Sequence, residues 1–255
     1  VIDLRDPVSS SSHYITAAWA VFATVMMLRF TPRGEGRRLA VLIYGLSMIA
    51  LFAASGTFHG LHYSSAEEMR FYQKIDQSAI YFLIAGTNTP LMTILLRGAQ
   101  RKWFLTLVWI FAFVGVGFLW LLPKSPHAVV VSTYLALGWL GTLPIYQYYR
   151  RVGGGAMGWI WVGAALYTLG AVCELTRWPV IVPGVVQAHE VLHVCDSAAC
   201  FAFFIFIFRY VIPYQHPEPE TAEAPEKGSL SRMATAVLSE QRRLPIGVRG
   251  GVVQS

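Results

Sequence analysis

Charge is what this sequence has least of. Only 13% of its 255 residues are Asp, Glu, Lys or Arg, about half of what a soluble domain carries. With 55% hydrophobic residues and a mean hydropathy of +0.49, that scarcity excludes an ordinary soluble domain. It implies a polytopic membrane protein, built as one compact bundle rather than two domains. Cysteine is also scarce. Cys173, Cys195 and Cys200 form no CxxC pair and no even-numbered framework, which excludes a disulfide scaffold and a thiolate zinc site. They read as small apolar filler within helices. No basic segment precedes the first apolar run and no small-x-small site ends it, so that run reads as a span rather than a cleaved signal. No short internal repeat is present, which removes repeat architectures. The net charge of +6 comes from Lys and Arg placed between apolar runs and in the tail. Membrane topology accounts for that placement, and a nucleic-acid partner is not indicated.

What is present is a series of seven apolar runs of spanning length, at about 14–30, 39–59, 76–96, 103–122, 128–148, 156–174 and 188–212. A bilayer core of roughly 30 Å takes about twenty helical residues. In lipid each span must satisfy its own backbone polar groups, which a helix does. The expected fold is therefore an all-α integral membrane protein, a seven-transmembrane helix bundle. Turn composition separates the runs: Thr31 to Arg38, an amphiphilic connection from Gly60 to Lys74, Arg97 to Lys102, Leu122 to Pro126 with two prolines, Arg150 to Gly155, and Trp178 to Gly184 with two more. Residues 1–13 form a polar N-terminal lead-in, 14–212 the seven-helix membrane domain, and 213–255 a Pro- and Glu-rich tail expected to be disordered. Trp103, Trp120, Trp139, Trp159 and Trp178 fall near helix ends and read as interfacial anchors.

The polar residues inside these runs carry the chemistry, because polar groups at membrane depth are costly unless paired or liganded. His189 and His193, at i and i+4, project from one face of the last helix. Ser55 and His59 share a side of the second helix by the same spacing. Asp76 opens the third. Seven crossings bring the end of span two and the starts of spans three and seven to one membrane face. Ser55, His59, Asp76, His189 and His193 therefore meet there at similar depth. Three imidazoles with a water or a carboxylate make a usual four-coordinate zinc arrangement with an open position. Asp76 could orient the water, take its proton, or be a ligand itself, and Ser55 could support an imidazole, Asp76 or a substrate oxyanion. Each residue also has an ordinary role open to it: His59 as a helix-end residue facing interfacial water, Asp76 as a helix-start carboxylate favoured by the macrodipole, and Ser55 bonding its own helix. Glu190, next to His189, faces elsewhere. His62, His127 and Glu174 are rival polar groups on the same face, with His62 in a loop and His127 after a proline turn, both read as solvated.

At these residues the chain resembles a known family. Ser55-x3-His59, then Lys74-Ile75-Asp76-Gln77-Ser78 running through an apolar stretch into Ala85-Gly86-Thr87-Asn88-Thr89-Pro90, then His189-Glu190-x2-His193, resembles the hemolysin III family. That family is grouped with the progestin and adipoQ receptors and, more distantly, the alkaline ceramidases. The resemblance covers about residues 10–212, includes Gly163 to Ala171, and is most specific at the aspartate motif. It implies a seven-helix bundle with a buried zinc ion, His59, His189 and His193 as ligands, Asp76 holding a zinc-bound water, and Ser55 supporting the site. The chain departs from the pattern at Gln77, where histidine is common, and at Cys195-Asp196, where apolar residues are usual. Asp196 is a candidate for an added group around the site.

Three functions are open at this point. The first is a zinc-dependent intramembrane hydrolase of a lipid amide or ester. The second is a receptor or sensor with structural zinc. The third is a cytolysin, for which no amphipathic pore-forming segment stands out. An open coordination position favours catalysis, since closed sites are usually structural. The partners expected are membrane lipids, as substrate or ligand, and the location expected is the plasma membrane. Arg5, Arg70, Lys74, Lys124 and Arg177 lie on the N-terminal side, against Arg33, Arg37, Arg38, Arg97, Arg101, Lys102, Arg150 and Arg151 opposite. The positive-inside rule then leans toward an external histidine face, whereas the receptor relatives imply a cytoplasmic one.

Overall fold

The computed structural model describes residues 3–34, 36–122 and 126–217. Its elements are α1 (Pro7–Phe30), α2 (Arg37–Gly60), α3 (Ala66–Leu95), α4 (Gly98–Leu121), α5 (His127–Leu140), α6 (Ile145–Val152), α7 (Gly154–Thr176) and α8 (Ala188–Phe206), which runs on through one π-helical turn, Ile207–Val211. Six helices are long and apolar enough to cross a membrane. The pair α5 and α6, bent by 45° at the break between them, gives a seventh when taken as one broken span. The turn expected at 31–38 falls between helices up to Gly36, α2 starting at Arg37, and the one at 122–126 also falls between helices, with Glu35 and residues 123–125 outside the described residues. The chain divides after Tyr214. Beyond it only residues 215–217 are described, as irregular backbone, so the tail expectation lies outside the described residues from 218 on.

Two helices start well before the apolar runs they contain, because capping residues set the starts. Pro7 occupies the first position of α1, where a missing N–H costs nothing, and Asp6 accepts a hydrogen bond from the Ser9 N–H at 3.5 Å. Helix α3 begins at Ala66, ten residues before Asp76. There Ser65 Oγ accepts from the Glu68 N–H at 3.1 Å while Glu68 Oε2 accepts from the Ser64 N–H at 2.8 Å. Most of the connection expected over 60–74 is therefore helical.

Helices α1, α2, α3 and α4 pack in sequence, α7 packs on α8, and α8 closes back onto α1, with its π-helical end against α3. The α5–α6 span packs more sparsely, on α3, α4 and α7. Tyr44, Met48, Phe52, Leu83, Ile94, Leu95 and Phe206 form the buried centre. Large apolar side chains such as Ile15, Phe22, Trp103, Phe113 and Val114 face outward, as suits a lipid surrounding. Hydroxyls within the spans satisfy themselves on the preceding turn: Thr24 donates to Ala20 O at 2.6 Å, Thr87 to Leu83 O at 2.8 Å and Thr89 to Ala85 O at 2.8 Å. Small residues admit close partners. A Cβ at Gly141, in the break between α5 and α6, would collide with the Asn88 amide. Of the five tryptophans read as anchors, Trp120 is exposed near the end of α4 and donates its Nε1–H to Ser78 Oγ at 3.0 Å.

Candidate metal centre

The segment before α1 folds back over the end of α2. The Arg5 and Asp6 N–H groups donate to the Gly60 and His59 carbonyls at 3.3 and 3.0 Å. The Arg5 guanidinium lies 4.9 Å from the ring centres of both Phe58 and Tyr63 and donates to Phe58 O at 2.7 Å. Tyr63 donates to the same carbonyl at 2.8 Å, and burial pushes its phenol above the usual range. This strap fixes Asp6, whose Oδ2 lies 3.0 Å from His59 Nδ1.

His189 stands in the first turn of α8. Glu190 holds that turn: its Oε2 accepts from the Gln187 N–H at 2.8 Å and its Oε1 from Ser9 Oγ at 3.1 Å, which ties α8 to α1. Glu190 faces away from the histidines, as its position beside His189 implies. His189 Nδ1 lies 3.1 Å from Glu174 Oε2, while the other oxygen of Glu174 is 3.2 Å from His127 Nε2. Two of the groups read as rivals therefore belong to the site's surroundings. Half-exposed His127 is held by Glu174 rather than freely solvated, and Glu174 orients a histidine. His62 does lie in an exposed loop, 3.5 Å from Asp3.

Each of these carboxylates claims an Nδ1–H, so both rings turn their Nε2 atoms inward, and those atoms are 3.2 Å apart. Two imidazole lone pairs facing each other repel unless a proton or a cation lies between them. His193, one turn along α8, completes the group, with ring centres 4.5 Å from His189 and 4.8 Å from His59. It is buried, and its Nδ1 has no hydrogen-bond partner. The three histidines each offer a nitrogen, and these nitrogens lie within 4.8 Å of one another. An orphaned buried nitrogen, two facing Nε2 atoms and an all-imidazole donor set fit a divalent cation such as zinc. They do not select which cation.

Ser55 and Asp76 lie beside this group and outside it. Ser55 is buried. Asp76 is partly buried, lies beside the Ser55 side chain and lines the same cavity as His189. Among the described residues the group able to hold a metal is the three histidines alone, so Asp76 stands next to it rather than in it. Asp196 joins Asp76 in lining a cavity, and the Gln77 carbonyl accepts the Tyr134 hydroxyl at 3.0 Å.

Two neighbours carried no usable sequence signal. Asp6 read as part of a polar lead-in, because nothing in its spacing shows that the strap returns to His59. His13 read the same way, yet its ring stacks on His193 with centres 4.0 Å apart and meets Phe52 edge-on at 5.3 Å. It is buried, and both its ring nitrogens lack partners. His13 lies nearly two turns inside α1, a position that only a helix start at Pro7 reveals. The cysteines are free and buried, as filler should be.

The cavity has a volume of about 270 Å³. At the histidine end it is lined by Gln73, Asp76, His127, Glu174, His189 and Asp196. Away from that end it turns apolar. Helix α3 gives it one stripe, Asp76, Ile80, Leu83, Ile84, Thr87, Asn88 and Leu91, the 3-and-4 spacing of a single helix face. Fifteen residues of rise make that stripe about 22 Å long, more than half of the roughly 30 Å hydrocarbon thickness.

Comparison with known proteins agrees with this construction. Residues 4–204 match the family described as Haemolysin-III related. The chain is 29% identical to Hemolysin-3 of Bacillus cereus over 205 residues, covering 79% of this chain and 90% of that protein. It is 31% identical to the Hemolysin-3 homolog of Bacillus subtilis (strain 168) over 174 residues, 68% of this chain and 78% of that one. It is 24% identical to the Monocyte to macrophage differentiation factor of Homo sapiens over 188 residues, 71% of this chain and 73% of that one.

Proposed function

This chain belongs to the haemolysin-III related family of membrane proteins, and from its geometry we propose that it is a zinc-dependent intramembrane hydrolase of a lipid amide or ester. The observation that supports this most is the junction of two features: a cavity lined by an α3 stripe about 22 Å long includes both Asp76 and His189, one of three histidines able to hold a metal.

His59, His189 and His193 would hold the ion. When bound, it supplies Lewis acidity and acidifies a neighbouring water toward neutral pKa. Asp6 and Glu174 keep the His59 and His189 rings turned with Nε2 inward, the role carboxylates have beside metal-binding imidazoles. The apolar stripe of α3, with Val130, Val131 and Ile160 opposite, takes an acyl chain and excludes water around it. A lipid whose chain lies there carries its amide or ester carbonyl to the mouth, beside Asp76. Asp76, held by Ser55, takes the proton of the attacking water and returns it to the leaving amine or alcohol.

The test is turnover of ceramides and other acyl lipids by the purified protein. Asp76→Ala should lower kcat at least ~100-fold while the metal content stays at the wild-type level. A metal-loaded wild type that turns over no acyl lipid would overturn the hydrolase reading. The receptor reading would then take its place, with the ion as a structural clamp. The Bacillus relatives are named as hemolysins, so release of haemoglobin from red cells without lipid turnover would favour lysis as the activity here.

A further inference from the structure

The cavity has a second end. The α5–α6 span runs from His127 at the histidine face to Val152 at the opposite face, and Tyr148 of α6 lines the cavity there with Leu91 and Ile160. Ile160 precedes Glu174 by fourteen helical residues, which puts this end about 21 Å from the histidine end. Tyr148 is 1% exposed, and its hydroxyl has no hydrogen-bond partner. Arg151, at i+3 on the same helix face, has its Nη1 buried and equally without a partner. Gln147, at i−4 from Arg151, has a buried amide oxygen that is also unpaired.

A buried guanidinium N–H without an acceptor, such as Arg151 Nη1, is expensive. Arginine does not shed its proton, and its donors demand acceptors. A buried O–H donor and a buried N–H donor side by side, with a turnable amide next to them, form a cradle for an acceptor carrying negative charge. The cavity behind Tyr148 is apolar and, at about 270 Å³, lies just below the usual range for drug-sized pockets. It is sized for one hydrocarbon chain.

We propose that Tyr148 and Arg151 form an anion-binding subsite that holds the carboxylate or phosphate headgroup of a single-chain lipid, whose chain runs down the cavity toward the histidines. Such a lipid enters from the face opposite the histidines and fills the space an acyl substrate would use. It therefore competes with that substrate without touching the metal. This assignment stands on binding alone and does not depend on the hydrolase reading.

Full-length protein in detergent, both as purified and after chelator treatment to remove metal, is tested with tritiated palmitate and tritiated hexadecanol in a scintillation proximity assay. Palmitate should bind roughly tenfold more tightly than the uncharged alcohol, the scale of a hydrogen bond to a charged group. That preference should shrink to near unity in Tyr148→Phe and in Arg151→Gln, while hexadecanol binding, which reports an intact cavity, stays the same in both. Displacement of palmitate by 1-palmitoyl lysophosphatidate would place phosphate headgroups in the same class, and its failure to compete would restrict the subsite to carboxylates. Inorganic phosphate displacing palmitate at the same concentration as the lysolipid would overturn the lipid part of the assignment. A palmitate preference that vanishes on chelation would assign the headgroup to the histidine end, and one that survives in both variants would remove Tyr148 and Arg151 from it. Either result overturns the subsite.

Discussion

Asp6 and Glu174 do the same work from opposite ends of the chain. Each accepts an Nδ1–H and thereby fixes which nitrogen of its histidine faces the metal position. Asp6→Asn and Glu174→Gln keep the shapes and remove the charges. Each should weaken zinc binding by about 10- to 100-fold in competition with a fluorescent chelator, with the fold intact by circular dichroism. His193 has no such partner on Nδ1 and is held instead by the face of His13. If stacking is what His13 provides, His13→Phe keeps zinc affinity within a few-fold, while His13→Ala leaves a cavity and lowers stability by about 3 kcal/mol in a thermal melt. Equal loss in both variants would show that a ring nitrogen of His13, not its face, is needed.

At the scale of the element, the α5–α6 span is the part the sequence disguised. Residues 128–148 read as one unbroken run. The chain nevertheless leaves the helix at Gly141 and resumes it at Ile145, bent by 45°. Pro144 and two glycines in the neighbourhood hint at a break, but the apolar content of the run conceals it. The break lets the Asn88 amide of α3 pack against Gly141, with its Nδ2 bonded to Ile84 O at 2.9 Å. Gly141→Ala should therefore destabilise the protein by about 1–3 kcal/mol through overpacking. Asn88→Ala in the same chain should recover most of that loss, a coupling that a double-mutant cycle measures. Additive effects would mean that the two residues do not meet. The reading missed helix starts for a similar reason. Composition marks where the lipid-facing stretch begins, whereas Asp6 and Ser65 mark where the helix begins.

Across the whole molecule, the helical membrane fold and the meeting of His59, His189 and His193 were legible in the sequence. Both follow from one-dimensional quantities, run length and the parity of crossings. Asp76 and Ser55 were legible as neighbours for the same reason, because α2 and α3 are consecutive and antiparallel. The partners of the site were not legible. Asp6, His13 and Glu174 reach it through a returning strap, a helix start and a contact across the α7–α8 pair, none of which leaves a periodic trace. The arrangement as a whole makes a narrower claim than any activity does. Two Nε2 atoms 3.2 Å apart need a proton or a cation between them, and with the orphaned nitrogen on His193 they make up three imidazoles able to hold a metal ion. Elemental analysis of detergent-purified protein, wild type beside His189→Ala/His193→Ala, tests that directly. The account predicts about one zinc per chain in the wild type, in line with a single three-imidazole site, and none in the double variant. A folded, metal-replete wild type that carries no divalent ion would contradict it and leave the histidines as a proton-sharing cluster that packs α1, α2 and α8 together.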